Sequence, residues 1–311
     1  MPLPKLRVSE WVLLAFFTYI VLLSPLFPAR PNLHFQPVLI LVAAAAVLLL
    51  LSALERAYHS VAISRFRDWL PTLFTLIAFR EMELFLPLSF DRKLELEWIR
   101  WDHLLLSHWH GRAIIESLGP VIPLYLELCY LLVYGLPFYC IAVLYLRDRR
   151  PFADRFLTVY LAGTLFAYAL FPYFPSQPPR IVFPGMDAPH ATTVIQRLNV
   201  AILDAATIHV GVFPSAHVSS AFSAAWGMFL VLPKRKAFGW TTLAYAISVS
   251  LATIYGRYHY AADVVAGFTV SLIAAAVARW YALRAAAPVP FSRSLVPALS
   301  ASGKELEDIA D

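Results

Sequence analysis

The sequence predicts an all-α fold, a polytopic membrane helical bundle of about eight transmembrane helices. Of the 311 residues, 60% are hydrophobic and 14% are charged, whereas a soluble domain is typically about half apolar and about a quarter charged. The apolar residues also fall into blocks of about 17 to 25 residues, the length at which a helix crosses a bilayer. Together these observations exclude an ordinary soluble globular protein.

Eight apolar blocks are interpreted as spans. In chain order they cover residues 11–28, 37–54, 69–88, 121–146, 156–175, 213–232, 239–256 and 262–282. Residues 92–118 mix aromatic, charged and leucine side chains, which is typical of an interfacial or partly re-entrant amphipathic segment. Residues 176–212 are expected to form a long polar loop, and the chain beyond about residue 285 is expected to be disordered.

Lys and Arg residues predict the orientation of the bundle. One end of the spans carries fourteen of them, mostly in very short loops, and the other end carries eight in longer loops. Cytoplasmic loops are enriched in Lys and Arg, so the end with fourteen, which includes both termini, is predicted to be cytoplasmic. The same asymmetry accounts for the net charge of +5, and no nucleic acid partner is predicted.

Three short polar stretches lie at the opposite, extracytoplasmic ends of the spans. They are FPYFPSQPPR after the fifth span, PSAH at the start of the sixth, and YGRYHYAADVVAG between the seventh and eighth. They supply six candidate site residues: Arg180, Ser215, His217, Arg257, His259 and Asp263. The Lys and Arg count that places all three stretches on one face takes no account of their chemistry.

Each candidate also has a structural interpretation. Ser215 can cap a helix N-terminus, and Asp263 can be an acidic residue favoured in a first helical turn. The arginines, Arg180 and Arg257, can be interfacial side chains that extend towards the headgroups. As a set, however, the six match the requirements of phosphoryl transfer without a metal: positive charge around the phosphate oxygens, a nucleophile, and an acid for the leaving oxygen.

The spacing of these residues supports that chemistry. His259 and Asp263 are four residues apart, so on a helix they share a face and the carboxylate can orient the imidazole. The N-terminus of the sixth span offers N–H groups to a phosphate, Ser215 adds a hydroxyl, and His217 can donate a proton. The sequence therefore favours a phosphoryl-transfer site.

The three stretches resemble the motifs of the phosphatidic acid phosphatase type 2 superfamily, which are integral-membrane lipid phosphatases. The family pattern is Lys-x6-Arg-Pro, then Pro-Ser-Gly-His, then Ser-Arg-x5-His-x3-Asp, and PSAH and HYAAD match its later parts. The resemblance covers about residues 155–280 and implies a six-helix core. It also implies roles for five of the candidates: His259 as the nucleophile that forms a phosphohistidine, Asp263 as its orienting group, His217 as the general acid, and Arg180 and Ser215 as phosphate ligands.

Two positions depart from the family pattern. Tyr173 stands where the family has Lys, and Thr253 stands where it has Arg. Arg257 is the candidate that replaces the missing arginine as a phosphate ligand. The PPR ending, RYHYAADVVAG and WDHLLLSHWHG resemble the branch of inositol phosphorylceramide synthases and sphingolipid phosphotransferases, which extends the resemblance to about residue 95. In that branch the acceptor is an alcohol rather than water.

The resemblance implies an enzyme that acts on a phospholipid or another lipid phosphate among the membrane lipids, with no cofactor or metal. The alternative is transfer of a phospho-headgroup to an alcohol or lipid acceptor, as in inositol phosphorylceramide synthases. The rival from another class is a non-catalytic membrane protein or a transporter. A transporter is disfavoured because the polar residues lie at one face and no internal repeat is present.

The resemblance and the spans together predict the organisation and location of the chain. Residues 1–90 are expected to be N-terminal transmembrane helices, and residues 91–284 a catalytic membrane domain with its motifs within 171–267. Residues 285–311 are expected to be a cytoplasmic tail. We expect a multi-pass protein of the plasma (inner) membrane, with the active site on the extracytoplasmic face and both termini cytoplasmic.

Other polar residues have structural interpretations. Three histidines lie close together in DHLLLSHWH: His103, His108 and His110. Their spacing matches no standard zinc pattern, so they are interpreted as part of an aromatic interfacial anchor, with Asp102 at the mouth of the site. Arg80 and Glu83 lie within the third span, where charges are costly, and can form a pair or line a polar cavity.

Overall fold

The computed structural model describes residues 5–27, 34–85, 91–206, 208 and 211–285, and every regular element among these residues is helical. The described residues form thirteen α-helices: α1 Val8–Leu23, α2 Phe35–Tyr58, α3 Val61–Glu81, α4 Lys93–His103, α5 Gly111–Ser117, α6 Val121–Leu132, α7 Leu136–Leu146, α8 Ala153–Leu170, α9 Pro179–Val182, α10 Val194–Ala206, α11 Ala216–Val231, α12 Lys236–Tyr255 and α13 Ala261–Ala285. The all-α prediction is confirmed. The predicted tail, residues 285–311, lies outside the described residues except for residue 285.

Six helical segments in the described part of the chain are long and apolar enough to cross a membrane. They are Val8–Leu26, Phe35–Tyr58, Val121–Leu146, Arg150–Tyr173, Lys236–Tyr255 and Ala261–Trp280. Two further predicted spans also coincide with helices but are less suited to crossing alone. Helix α11 has only 16 residues, and α3 includes charged residues near both of its ends. The chain is a multi-pass membrane protein.

Helix α11 lies at the centre of the bundle and packs against α8, α12 and α13. Small residues make these approaches close. A Cβ atom on Gly163 of α8 would lie 1.9 Å from the Ser223 Oγ of α11. A Cβ on Gly267 of α13 would lie 2.4 Å from the Ser215 carbonyl oxygen just before α11. Such small residues allow helix backbones to pack tightly within a membrane. They fix the starts of α11 and α13 against each other.

Ion pairs join α1, α2 and α3 at one end of the bundle. Arg67 of α3 donates to Glu10 of α1 at 2.5 Å and also pairs with Glu55 of α2. Arg7, just before α1, pairs with Asp68 at 2.6 Å. Arg67 and Glu10 are both buried, so each charge depends on the other for compensation. The network anchors the N-terminal helices to each other.

The predicted amphipathic segment 92–118 folds as α4, a π-helical turn at Leu104–His108, and α5. It does not lie wholly at a surface, because Trp98 of α4 stacks on Phe213 with ring centroids 4.8 Å apart. Helix α4 also packs against α13. The segment thus reaches the loops at the opposite end of the bundle from the ion pairs.

The predicted polar loop 176–212 is wrong in part, because it contains α9 and the 13-residue α10. Helix α10 packs against α6, and its Asn199 donates to the Glu127 side chain of α6 at 2.8 Å. The hydropathy of a segment does not show which of its polar residues will be buried by contact with a distant helix. The apolar face of α10 is therefore not evident from a sequence in which polar residues surround it.

Candidate active site

The nucleophile candidate, His259, lies in the short connection between α12 and α13 and is 5% exposed. Its Nδ1 lies 3.2 Å from Asp263 Oδ2, and the same oxygen accepts from the Tyr260 backbone N–H at 2.9 Å. With Asp263 ionised, its carboxylate only accepts hydrogen bonds, and the ring proton of His259 is then on Nδ1. The lone pair is then on Nε2, the nitrogen that faces away from Asp263.

His217 faces that lone pair from the first turn of α11. Its Nδ1 lies 3.3 Å from His259 Nε2, and its Nε2 lies 3.0 Å from the Tyr134 hydroxyl. The Tyr130 ring stacks on the imidazole with centroids 4.9 Å apart. The structure therefore brings His217, His259 and Asp263 together from two separate motifs.

Ser215 caps α11, as its structural interpretation predicts. Its Oγ accepts from the Val218 N–H at 3.3 Å, and its own N–H donates to the Asp263 carbonyl at 2.9 Å. The residue is fully buried. These bonds join the start of α11 to the start of α13 and so set the relative positions of His217 and His259. Ser215 does not line the cavity beside the histidines, and its role as a phosphate ligand stays a prediction.

Two arginines approach the histidines from different elements. The Arg180 N–H donates to the Arg257 carbonyl at 3.2 Å, and the Arg180 guanidinium pairs with Asp204 at 3.2 Å. Arg180 Nε and Arg257 Nε and Nη2 are buried and have no hydrogen-bond partner among the described residues. Buried donors without partners are costly, and phosphate oxygens are acceptors suited to guanidinium groups. Both side chains thus have donors that no described residue accepts from.

Asp102 is not at the mouth of the site, as the sequence suggested, but fully buried. Its Oδ2 accepts from Arg257 Nη1 at 2.6 Å, and its Oδ1 accepts from the Ala261 N–H at 2.8 Å. These partners lie two residues before and two residues after His259. The carboxylate therefore holds both flanks of the connection that carries His259. Arg257 has a positive φ of 61° there, a strained conformation for a non-glycine residue.

A cavity of about 630 Å³ opens beside the two histidines. Arg180, His217 and His259 lie in its wall, whereas Arg257 does not. The cavity extends along apolar side chains of α3, of the turn after α6 and of α7, among them Leu76, Phe79, Val133, Pro137 and Phe138. Arg80 also lines it, which agrees with the cavity-wall alternative for that residue. The polar cluster around the two histidines is thus continuous with a cavity that has apolar walls.

Residues 89–277 match the family described as the PAP2 superfamily. That region is more than half of the chain and contains all six candidate site residues. The chain belongs to the PAP2 superfamily. Membership suggests a lipid phosphatase or phosphotransferase. The finer resemblance to the inositol phosphorylceramide synthase branch stays a prediction.

A curated relative gives a shorter match. The chain is 36% identical over 62 residues to a PA-phosphatase related-family protein of Dictyostelium discoideum. The match covers 20% of this chain and 11% of the relative, so the chain spans only a small part of that protein. No solved structure matches the chain.

Burial in the PAP2 chain sets the protonation state of the candidate nucleophile. It lowers the pKa of His259 from 6.5 to about 4, because a buried imidazole loses the hydration that stabilises its charged form. His259 is then neutral near pH 7. A neutral imidazole retains the lone pair that nucleophilic attack requires.

The other histidines of the amphipathic segment lie apart from this site. His103 Nδ1 lies 3.1 Å from Asp187 Oδ1, and Ser107 donates to the same carboxylate, so these contacts join the segment to the loop after α9. His108 and His110 are exposed. The described residues contain no group of three His, Cys, Asp or Glu side chains that could hold a metal ion.

Tyr130 and Tyr134 are site residues that the sequence analysis missed. They are four residues apart at the end of α6 and in the turn that follows, and both touch the His217 ring. The available signal was a pair of hydroxyl groups at helical spacing within an apolar span. That signal is weak, because tyrosines in spans commonly serve as interfacial anchors.

Proposed function

We propose that this PAP2 chain is an integral-membrane lipid phosphatase or phosphotransferase that works through a phosphohistidine on His259. The observation that carries the proposal is the 3.3 Å approach of His217 Nδ1 to His259 Nε2, with Asp263 on the other side of His259. A nucleophile, its orienting carboxylate and an acid are thereby aligned in a single row. Phosphoryl transfer through a covalent intermediate needs these three groups.

In the first half-reaction, the His259 Nε2 lone pair forms a bond to phosphorus as the bond to the lipid oxygen breaks. The phosphoryl group takes the place of the direct contact between the two imidazoles, so the His217 ring moves aside to admit it. His217 then protonates the leaving oxygen. Asp263 stabilises the positive charge that develops on the His259 ring.

The phosphate oxygens are held by the charged groups around the histidines. Arg180 lines the cavity, and its Nε lacks a partner among the described residues. Arg257 has two such nitrogens but lies behind the cavity wall, so a small shift of the connection is needed to bring it to the phosphate. The N-terminus of α11, which Ser215 caps, completes the binding site. These groups supply the charge that a metal supplies in other phosphoryl-transfer enzymes.

In the second half-reaction, an acceptor hydroxyl attacks the phosphohistidine and His217 takes its proton. Water as the acceptor makes the chain a phosphatase. A lipid or headgroup alcohol makes it a phosphotransferase of the inositol phosphorylceramide synthase kind, which the sequence resemblance favours. The cavity reaches the histidines along apolar walls, so the substrate is a lipid whose chain lies among the helices. We place the site at the extracytoplasmic leaflet, because the ion-paired, arginine-rich end of the bundle lies opposite.

The test is turnover by purified protein in nanodiscs with a panel of labelled lipid phosphates and phosphodiesters, with free phosphate and new lipids followed together. We expect turnover that persists in EDTA and is lost in His259→Ala. The exposed His108 provides the matched control, and His108→Ala should be active. Absence of turnover on the whole panel, or turnover that survives His259→Ala, would reject the proposal in favour of a non-catalytic protein or a different site.

A further inference from the structure

Tyrosine side chains hold the imidazole of His217 on two sides. Tyr130 stacks on the ring with centroids 4.9 Å apart and 29° between planes. Tyr134 meets it edge-on, at 5.3 Å and 81°, and its hydroxyl lies 3.0 Å from Nε2. Tyr130 is buried in the core, whereas Tyr134 is 45% exposed and lines the cavity. Of the two tyrosines, only Tyr134 makes a polar contact with the ring.

With Asp263 ionised and both histidines neutral, the contacts along this row of side chains fit one arrangement of protons. Asp263 accepts from His259 Nδ1, so His259 Nε2 carries a lone pair. His217 Nδ1 lies 3.3 Å from that lone pair, and only a protonated Nδ1 can donate to it. A neutral His217 then has its own lone pair on Nε2, which accepts from the Tyr134 O–H. The row therefore runs in one direction, with each hydrogen bond donated towards Asp263.

We propose that Tyr134 is the positioning residue of His217: its hydroxyl keeps the His217 proton on Nδ1, the nitrogen that faces the phosphoryl site, and replaces that proton once it is transferred. This inference rests on the proposed function and adds a residue that no motif of the sequence predicted. Tyr134 acts through His217 and does not itself meet the reacting oxygen.

The proton balance of the two half-reactions closes with these side chains alone. When the phosphorus–oxygen bond breaks, the Nδ1 proton of His217 goes to the leaving oxygen, and the Tyr134 proton moves to Nε2. His217 stays neutral and Tyr134 becomes a phenolate. When the acceptor hydroxyl attacks, its proton goes to Nδ1 and the Nε2 proton returns to Tyr134. The site is then restored, with no net gain or loss of protons.

The position of Tyr134 argues against a purely packing role. Tyr134 is 45% exposed, and Tyr139 on α7 is similarly exposed at 48%. A hydroxyl in an apolar span is costly unless it finds a partner, and the partner of Tyr134 is an imidazole nitrogen of the proposed catalytic acid. Phenylalanine would fill the same space, so Tyr134→Phe removes the contact with His217 and the side-chain hydrogen bond with Tyr130 but keeps the packing of the ring. Tyr139→Phe is the matched control.

The kinetic test compares an alkyl phosphate with a nitrophenyl phosphate, whose leaving group needs no protonation. Loss of one net hydrogen bond predicts that Tyr134→Phe lowers the rate of phosphoenzyme formation from the alkyl phosphate about tenfold and changes that rate for the nitrophenyl phosphate by less than about twofold. In a His217→Ala background, Tyr134→Phe should have no further effect, because its partner is gone. Equal losses on both substrates, or an additional loss in that background, would overturn the proposal.

A second measurement does not depend on turnover and so separates this proposal from the proposed function. In protein labelled with 15N-histidine, the nitrogen resonances of His217, assigned with His217→Gln, report which nitrogen carries the proton. We expect a proton on Nδ1 alone in the parent and in Tyr139→Phe, and a population protonated at Nε2 in Tyr134→Phe. A parent protonated at Nε2 or at both nitrogens, or a variant with an unchanged tautomer, would overturn the role of Tyr134 even in an active enzyme.

Discussion

His259 and Asp263 show what sequence spacing can predict about a site and where it stops. Their separation of four residues predicts a shared helical face, and the structure has the 3.2 Å contact. Tyr134 and Asp102 contact site residues 83 and 155 positions away along the chain. Such contacts depend on how helices pack: Tyr134 does not stand out in its apolar span, and the sequence indicates the mouth of the site for Asp102 rather than a buried contact with Arg257. Local spacing therefore predicts the imidazole and its carboxylate but not the residues that support them.

The protonation state of His259 gives a prediction for pH dependence. Burial lowers its pKa from 6.5 to about 4, so the folded state stays neutral at pH values where an exposed histidine has already gained a proton. We expect the His259 resonances, assigned with His259→Gln, to keep neutral-imidazole shifts from pH 8 down to about pH 5.

The same shift affects stability with a definite sign. Between pH 6.5 and 4 the unfolded chain binds a proton at this residue and the folded chain does not, so the free energy of unfolding falls as pH falls. The His259→Gln variant lacks this contribution and should lose less stability over that range. A His259 that titrates near pH 6.5 in the folded protein would contradict both expectations.

At the scale of elements, α4 is the helix whose role the sequence predicted least well. Its aromatic and charged composition indicated a surface anchor, and its exposed residues, including Trp101, agree with that. Its buried face instead packs inside the protein: Asp102 contacts the connection between α12 and α13, and Trp98 packs on Phe213. An amphipathic pattern shows that one face is apolar but does not identify what that face packs against. The partner of Asp102 therefore became visible only in the structure.

Breaking the contact of Asp102 with Arg257 gives a prediction for α4. Asp102→Asn leaves Arg257 buried at 2% exposure without its charge partner, which should cost about 3 kcal/mol and lower Tm by about 6 °C or more. The double variant Asp102→Asn/Arg257→Gln removes both charges and should recover part of that loss. Differential scanning fluorimetry in detergent measures both, with the exposed Asp91→Asn as control. A double variant less stable than Asp102→Asn would show that the ion pair is not what the carboxylate contributes.

At the scale of the whole molecule, hydropathy predicted the positions and order of the long apolar helices, six of which are suited to crossing a membrane in the described part of the chain. Two predicted spans, α3 and α11, are less apolar or shorter than the six segments suited to crossing a membrane. Both contribute to the cavity: α11 provides His217, and α3 provides part of its wall. Helices that line a polar site carry polar residues, so hydropathy describes them least well. The PAP2 region begins after α3, at residue 89, and α3 completes the cavity from outside that region.

The orientation of the bundle is a prediction that accessibility can test. If the site faces away from the cytoplasm, Thr192→Cys, in the exposed loop before α10, should react with an impermeant thiol reagent in intact cells. Lys234→Cys, between α11 and α12, should react only after the membrane is permeabilised. The native Cys129 and Cys140 are buried, so the parent protein is the unlabelled control. The reverse pattern would place the site on the cytoplasmic face.

The most direct test of the account is to trap the phosphoenzyme. Protein incubated briefly with a 32P-labelled lipid phosphate and quenched in alkali should retain label that is stable in base and labile in acid, as a phosphoramidate is. Peptide mapping should place that label on His259. With a labelled nitrophenyl phosphate, His217→Ala should form the phosphoenzyme and retain its label, because only the second half-reaction then lacks a proton acceptor. His259→Ala should carry no label. Label on Ser215 or another residue, or an active His259→Ala protein, would contradict the mechanism.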